Sequence, residues 1–168
     1  MTLLKTITDK DIGEKSVPNS SVSYRKAARA IVLNDNKIAI MQVALGNYHK
    51  LPGGGVEEGE NIQQALQREL LEETGAVIAI NKELGVIIEN KSRYSQIQES
   101  RCFIVNVISI GAHKYTKEEN DAGFSILWLS IDEAIALFEK DSPVDYTAKF
   151  IRLRDLTFLK TFREMQNV

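Results

Sequence analysis

Three glutamates in the first half of the chain are the residues whose type and spacing best suit chemistry. Glu69, Glu72 and Glu73 stand three and four residues apart, and on a helix such positions fall within an arc of roughly 100° on one face. Like charges at this spacing repel one another, whereas a bound hard cation that prefers oxygen ligands would reverse the effect. The spacing therefore favours a divalent-metal site, although a run of charges on a helix is often only a solvated face.

The residues around these glutamates predict the helix and the loop that position them. Asn61 is suited to cap a helix and Gly75 to end one, so we place the helix at about residues 61 to 74. Its apolar positions are Ile62, Ala65, Leu66, Leu70 and Leu71. The preceding segment Leu51–Gly55 contains Gly53, Gly54 and Gly55, and it predicts a turn whose backbone a phosphate group can approach closely.

Over residues 54 to 76 the chain resembles the signature of the Nudix hydrolases, G-x5-E-x7-R-E-U-x-E-E-x-G-U, in which U is aliphatic. The matching residues are Gly54, Glu60, Arg68, Glu69, Leu70, Glu72, Glu73 and Gly75. A common residue fills about 7% of positions, so seven fixed matches arise by chance on the order of once in 10^8 windows. Ala76 departs mildly from the signature, because it is smaller than the usual aliphatic residue.

The resemblance implies an enzyme that hydrolyses a diphosphate linkage, with Glu69, Glu72 and Glu73 as catalytic residues that bind Mg2+ or Mn2+. It assigns Glu72 and Glu73 as the principal metal ligands, with Glu69 as a ligand or as the base that orients water. Such ions neutralise phosphate oxygens and lower the pKa of the attacking water, so no covalent intermediate is needed. We therefore expect Glu73→Gln to abolish hydrolysis and to leave the melting temperature largely unchanged.

The resemblance gives the other signature residues structural or phosphate-binding parts. It implies a salt bridge between Glu60 and Arg68 that ties the loop to the helix, and a structural part for Gly75. The backbone of the three glycines that precede the helix would help to shape the phosphate and metal site. These glycines are Gly53, Gly54 and Gly55.

A general base from a later loop is common in the family, and this chain offers two candidates for it. Glu118 and Glu119 lie in the acidic segment just before a strand signal at Phe124, and Glu119 is slightly preferred. Acidic residues before a strand are equally typical of an exposed loop. Glu99 is a more distant alternative.

Substrate contacts are expected from residues near strand ends that follow the signature. Arg93 and Arg101 are suited to bind phosphate, because a guanidinium group pairs with phosphate oxygens in a bidentate manner. Tyr94, and less specifically Tyr48, could stack on a nucleotide base. The alternatives are surface charge for the arginines and packing for the tyrosines.

The leading hypothesis for the substrate, a small-molecule nucleotide, is a (deoxy)nucleoside triphosphate, including oxidised forms. The alternatives are ADP-ribose, a nucleotide sugar, a dinucleoside polyphosphate, or a non-catalytic role as a nucleotide sensor. The complete set of carboxylates favours catalysis over sensing, and an interaction scaffold ranks third. A homodimer is possible, because the signature says nothing about assembly.

Composition excludes several other classes of protein. The formal charge of -2 and the pI near 5.8 argue against a broad surface for nucleic acid. Cys102, the single cysteine, lies in an apolar run and is expected to be a core thiol, and with His49 and His113 it leaves too few ligands for zinc. The polar first twenty residues and the lack of a long apolar run predict a cytoplasmic protein that does not bind membranes.

Hydrophobic patterning predicts an α+β fold with helices and a mixed, curved β-sheet, and the resemblance implies that this fold is the Nudix-type α/β/α sandwich. Residues 1–22 are expected to form an N-terminal arm or edge strand, and residues 23–168 a single Nudix domain. The predicted strands are residues 27–33, 37–43, 83–89, 100–110 and 124–129. The predicted helices after the signature are residues 131–139 and a segment from Pro143 to about Met165, with an apolar stripe of Phe150, Leu153, Leu156, Leu159 and Phe162. Trp128 is expected in the core.

Overall fold

A mixed seven-stranded sheet organises the chain in the computed structural model, which describes residues 2–167. Its strands are β1 (Leu3–Thr8), β2 (Ser23–Asn34), β3 (Lys37–Val43), β4 (Tyr48–Lys50), β5 (Ala76–Lys91), β6 (Gln96–Ile110) and β7 (Phe124–Leu129). The strand order is β1-β5-β6-β2-β3-β4, and β7 also pairs with β3. The β1–β5 and β2–β6 pairs are parallel, and the others are antiparallel. The predicted mixed sheet is confirmed.

Helices cover both faces of this sheet, as the predicted sandwich requires. They are α1 (Ile62–Thr74), α2 (Lys117–Asp121), α3 (Ile131–Lys140) and α4 (Tyr146–Gln166). Helix α1 packs on β2 and β5, whereas α3 and α4 pack on the opposite face. No helix within residues 2–167 is both long and apolar enough to cross a membrane.

Two hydrophobic cores fill the spaces between these layers. On the α1 side the buried residues include Ala28, Ala30, Leu66, Leu70 and Phe103. On the side of α3 and α4 they include Ile31, Ile87, Cys102, Phe138 and Phe158. Most of the predicted α4 stripe belongs to this second core. Its residues Phe150, Leu156, Leu159 and Phe162 are buried, and Leu153 is partly buried. Each large apolar side chain contributes roughly 1.5–3 kcal/mol when fully buried. The prediction of Cys102 as a core thiol is confirmed, and Trp128 packs against the α1-side core while partly exposed.

Element boundaries differ from the predicted ones where pairing, rather than local pattern, determines the structure. Strand β5 begins at Ala76 instead of Glu83, because its first half also pairs with β6. Apolar and polar residues alternate irregularly in this half, so the pattern did not predict a strand there. Three register shifts interrupt the alternation that would have revealed it, and they lie between Val77 and Ile78, between Ile80 and Lys82, and between Glu83 and Gly85. Strand β4 and helix α2 were not predicted. They span only three and five residues, so they leave little periodic signal.

The N-terminal residues form an edge strand and a connecting segment. Strand β1 pairs in parallel with β5 at the edge of the sheet. The segment that follows is attached to Ser92, which accepts a hydrogen bond from the Val17 amide at its Oγ and one from the Asn19 side chain at its carbonyl oxygen. The division of the chain at residue 22 remains a prediction.

Candidate active site

Helix α1 positions the candidate metal ligands, and its two ends follow from local sequence. Asn61 Oδ1 accepts hydrogen bonds from the Gln63 and Gln64 amides at 3.0 and 2.9 Å, which satisfies donors that a helix N-terminus otherwise leaves free. Gly75 ends the helix in the left-handed conformation with φ 67°. Both features match the sequence-based expectation for this helix.

The glycine segment (Leu51–Gly55) lies alongside strand β2 and does not form the tight turn that was predicted. The Ala30 and Ala28 amides donate to the carbonyl oxygens of Pro52 and Gly54 at 3.1 and 2.9 Å. Strands β2 and β3 pair only at their hairpin end, through Leu33 and Asn34. The glycine segment therefore occupies the edge of β2 that β3 leaves free, and it faces α1.

Each of the first two glycines of this segment is required for a different reason. Gly53 has φ 124°, which side chains rarely permit, and a Cβ there would overlap the backbone of Ala28. A Cβ on Gly54 would overlap the carboxyl group of Glu69. Gly53 is therefore required for the backbone conformation and its close contact with Ala28, whereas Gly54 leaves space for a candidate metal ligand.

This contrast predicts that Gly54→Ala impairs activity more than stability. The new methyl group meets the end of the flexible Glu69 side chain, so we expect the carboxylate to shift and kcat/KM to fall roughly 100-fold. Gly111→Ala is the matched control, because a Cβ there makes only an ordinary contact. Steady-state kinetics and thermal melting test this. An active Gly54→Ala enzyme would show that the Glu69 position is not critical.

The carboxylate cluster (Glu69, Glu72 and Glu73) is paired with basic side chains. Glu73 is only 1% exposed. Its Oε1 accepts from Lys50 Nζ at 2.5 Å, and its Oε2 accepts from the Gly53 amide at 2.7 Å. Glu69 Oε1 accepts from Arg68 Nη1 at 2.9 Å, and Glu72 lies 3.4 Å from the same nitrogen.

Glu60 and Arg68 form the salt bridge that the family resemblance implied. Arg68 Nε and Nη2 donate to the two oxygens of Glu60 at 2.7 and 3.0 Å, and Nη2 also donates to the Gly55 carbonyl at 3.1 Å. The hydrogen bonds from Arg68 lower the pKa of Glu60 to about 2. The salt bridge thus joins the loop, the glycine segment and α1, and it keeps Arg68 beside the carboxylate cluster.

The donors of the carboxylate cluster suit a hard divalent ion. All are carboxylate oxygens, the ligands that Mg2+ and Mn2+ prefer. Within residues 2–167 no three His, Cys, Asp or Glu side chains are already arranged as a metal site. The glutamates pair instead with Lys50 and Arg68. Burial raises the pKa of Glu69. The hydrogen bond from Arg68 lowers this pKa, whereas the charge of Glu73 raises it, and the net effect is an increase. Burial therefore makes Glu69 a stronger base than an exposed glutamate.

A buried network of charged residues supports the glycine segment from the opposite face of the sheet. The Leu51 amide donates to Asp155 Oδ2 at 2.8 Å. Arg154 donates to the two oxygens of Asp155 at 2.7 and 3.1 Å and lies 3.4 Å from Glu89, which also pairs with Lys91 at 3.2 Å. Burial raises the pKa of Glu89, but the charges of Arg154 and Lys91 outweigh this effect and lower it to about 2.

Sequence reasoning missed this network, although one signal was available. Arg154 and Asp155 interrupt the apolar stripe of α4, and both are fully buried. Adjacent opposite charges within such a stripe indicate a buried pair.

The arginines and tyrosines predicted to contact the substrate contact other parts of the protein. Arg93 pairs with Glu14 at 3.0 Å and lies over the Tyr146 ring at 4.2 Å. Tyr94 packs edge-on against Tyr146, with ring centroids 5.3 Å apart. Arg101 pairs with Glu83 on the neighbouring strand, and the half-buried Tyr48 lies in β4. A phosphate-binding or stacking role for these residues remains a prediction without support from their contacts.

Two of the candidate general bases, Glu118 and Glu119, lie in helix α2, and the third lies in strand β6. Glu119 Oε2 accepts from the Thr116 amide at 2.8 Å and closes a capping box, so its carboxylate already has a structural partner. Glu118 is exposed, and Glu99 lies within β6. None of the three has a recorded hydrogen bond or salt bridge with the carboxylate cluster, and their catalytic part remains a prediction.

An aromatic cluster (His113, Tyr115 and Phe124) that sequence reasoning missed lies beside the candidate ligands. Lys50 Nζ lies 5.0 Å from the centroid of the Phe124 ring. Tyr115 meets that ring edge-on at 5.9 Å and stacks on His113 at 4.2 Å. The loop that carries these residues is joined to α1, because the Lys114 amide donates to the Glu72 carbonyl at 2.7 Å.

Comparisons with known proteins agree with this architecture. The family model described as the NUDIX domain matches residues 23–150 of the chain. The solved structure of a NUDIX hydrolase from Nitrosomonas europaea has a TM-score of 0.65 at 20% sequence identity, over 84% of this chain and 90% of that one. At this level of identity the similarity shows the fold alone.

Two curated relatives match shorter stretches. The Bacillus subtilis protein named "Putative 8-oxo-dGTP diphosphatase" is 39% identical over 64 residues, which is 38% of this chain and 43% of that protein. An RNA pyrophosphohydrolase of Wolbachia pipientis is 54% identical over 41 residues, 22% of this chain and 25% of that protein. The matched stretches span less than half the length of either relative.

Proposed function

The chain belongs to the Nudix hydrolase family, which acts on nucleoside diphosphate-linked compounds, and from this we propose that it is a Mg2+-dependent or Mn2+-dependent pyrophosphohydrolase. The leading substrate is a (deoxy)nucleoside triphosphate, including oxidised forms. One observation carries the proposal: Glu69 and Glu73 of helix α1 both meet the glycine segment, at Gly54 and Gly53. Two candidate metal ligands therefore lie against the backbone of the glycine segment, so an ion held by them would lie beside that segment.

Each residue of the carboxylate cluster has a part that follows from its surroundings. Glu69, Glu72 and Glu73 would hold the divalent ion, which when bound neutralises phosphate oxygens and activates water. Arg68 orients Glu69 and Glu72 through hydrogen bonds from one nitrogen. We propose Glu69 as a ligand or as the base that orients water, because burial raises its pKa.

The choice of a nucleoside triphosphate rests on narrower support. The relative named for 8-oxo-dGTP shares its 39% identity over only 64 residues. We propose that substrate class for this chain because that relative is named for an oxidised nucleoside triphosphate. The alternatives are ADP-ribose, nucleotide sugars and dinucleoside polyphosphates, and a non-catalytic nucleotide sensor is the remaining possibility.

Hydrolysis of a nucleotide panel is expected to require Mg2+ or Mn2+ and to stop when a chelator is added. The panel should include ordinary and oxidised nucleoside triphosphates, ADP-ribose, a UDP-sugar and diadenosine tetraphosphate, with product analysis by chromatography. We expect the highest kcat/KM for a triphosphate. Turnover that persists in excess chelator would contradict the metal mechanism, and binding without turnover of any compound would favour a sensor.

A further inference from the structure

Lys50 contacts a candidate metal ligand in the candidate active site, although the Nudix signature does not include it. Its ammonium group lies 2.5 Å from Glu73 Oε1, and its side chain is only 12% exposed. Magnesium binds carboxylate oxygens at about 2.0–2.1 Å. An ion on Glu73 would therefore lie close to the ammonium group, and the like charges would repel each other.

Lys50 has a second favourable contact within reach of its present position. Its Nζ lies 5.0 Å from the centroid of the Phe124 ring, a distance at which an aromatic face stabilises a cation. The ammonium group can thus leave Glu73 without losing all of its stabilising contacts. A phosphate that accompanies the metal ion offers it a stronger partner, because hydrogen bonds between charged groups are short and strong.

Tyr115 contributes an unused hydrogen-bonding group to the same wall of the site. Its hydroxyl oxygen is buried and has no hydrogen-bond partner among the described residues. The ring is held by Phe124 and His113, so the hydroxyl cannot easily turn to solvent. Leaving such a group unpaired is unfavourable, and in native proteins it often marks a place where a water molecule or ligand binds.

We propose that Lys50 and Tyr115 form a phosphate subsite opposite the carboxylate cluster. Lys50 neutralises Glu73 while the divalent ion is absent, moves away when the ion binds, and then donates to an oxygen of the diphosphate group. The Tyr115 hydroxyl donates to the same group. Phe124, which both side chains contact, keeps them on one wall. The inference rests on the proposed function, because it requires metal binding at Glu73.

Binding of methylenediphosphonate, a diphosphate analogue that cannot be hydrolysed in the same way, tests this subsite. Titration calorimetry at saturating Mn2+ is expected to show roughly 10-fold weaker binding for Lys50→Gln and several-fold weaker binding for Tyr115→Phe. Lys50→Arg, which keeps the charge, should retain most of the affinity. Lys160→Gln and Tyr24→Phe are matched controls. Lys160 forms an exposed salt bridge with Glu139, and the Tyr24 side chain is exposed.

Two further measurements separate this inference from its premise. Mn2+ alone, titrated without the analogue, should bind several-fold more tightly to Lys50→Gln than to the unmodified protein, because a competing charge is gone. Tyr115→Phe should melt no lower than the unmodified protein, since it removes an unpaired hydroxyl. If the unmodified protein binds no Mn2+, the proposed function fails. If it binds Mn2+ but both variants bind the analogue normally, only the phosphate subsite is wrong.

Discussion

Glu73→Gln is expected to lower kcat/KM at least 1000-fold and also to lower the stability of the fold by about 2 kcal/mol. The loss of activity follows from removal of a charged side chain that we propose as a metal ligand. The electrostatic stabilisation that such a ligand supports, several kcal/mol, corresponds to about three powers of ten in rate. The loss of stability follows from Lys50, whose nearly buried ammonium group would face a neutral amide. The sequence alone had suggested an unchanged melting temperature, and the Lys50 contact corrects that expectation.

A double variant separates the two effects. Glu73→Gln combined with Lys50→Met removes both charges, so we expect the melting temperature to recover most of its value while activity stays lost. Glu164→Gln, near the exposed end of α4, is the control for a neutral surface substitution. Recovery of hydrolysis in the double variant would mean that Glu73 acts only by neutralising Lys50, and it would remove this glutamate from the metal site.

Those parts of the site that depend on local sequence could be predicted, because their signals lie within one turn or one loop. Asn61 and Gly75 mark the ends of α1, whereas the Glu60–Arg68 salt bridge was implied by the family resemblance. The hairpin strand β3 and the strand β7 have the predicted boundaries. For such elements the pattern of apolar, capping and turn residues carries the necessary information.

The partners of the site residues could not be predicted, since they come from distant parts of the chain. Glu73 pairs with Lys50 across 23 residues, and Leu51 donates to Asp155 across 104 residues. Arg93, by contrast, was chosen because it lies near a strand end, but that end of β5 meets α4 and the N-terminal segment. Proximity in a sheet depends on strand order, and residue type alone does not reveal it.

Asp155→Ala is expected to destabilise the protein by about 3–5 kcal/mol, because it leaves Arg154 in the core without its main partner and the Leu51 amide without an acceptor. Urea denaturation measures this effect. Asp132→Ala is the matched control, since Asp132 forms an exposed ion pair with Arg163 at 3.3 Å. This substitution should lower the free energy of unfolding by less than about 1 kcal/mol. Equal losses for the two variants would show that the buried network is not important for folding.

The same network should affect catalysis through the glycine segment. Leu51 lies two residues before Gly53, whose amide binds Glu73, so a shift at Leu51 displaces a proposed metal ligand. Asp155→Asn keeps an oxygen that can accept from the Leu51 amide and removes only the charge. We therefore expect Asp155→Asn to lose stability while the folded enzyme keeps its kcat. Asp155→Ala, assayed well below its melting temperature, should lose roughly 100-fold in kcat. Equal kcat in both variants would confine Asp155 to a role in stability.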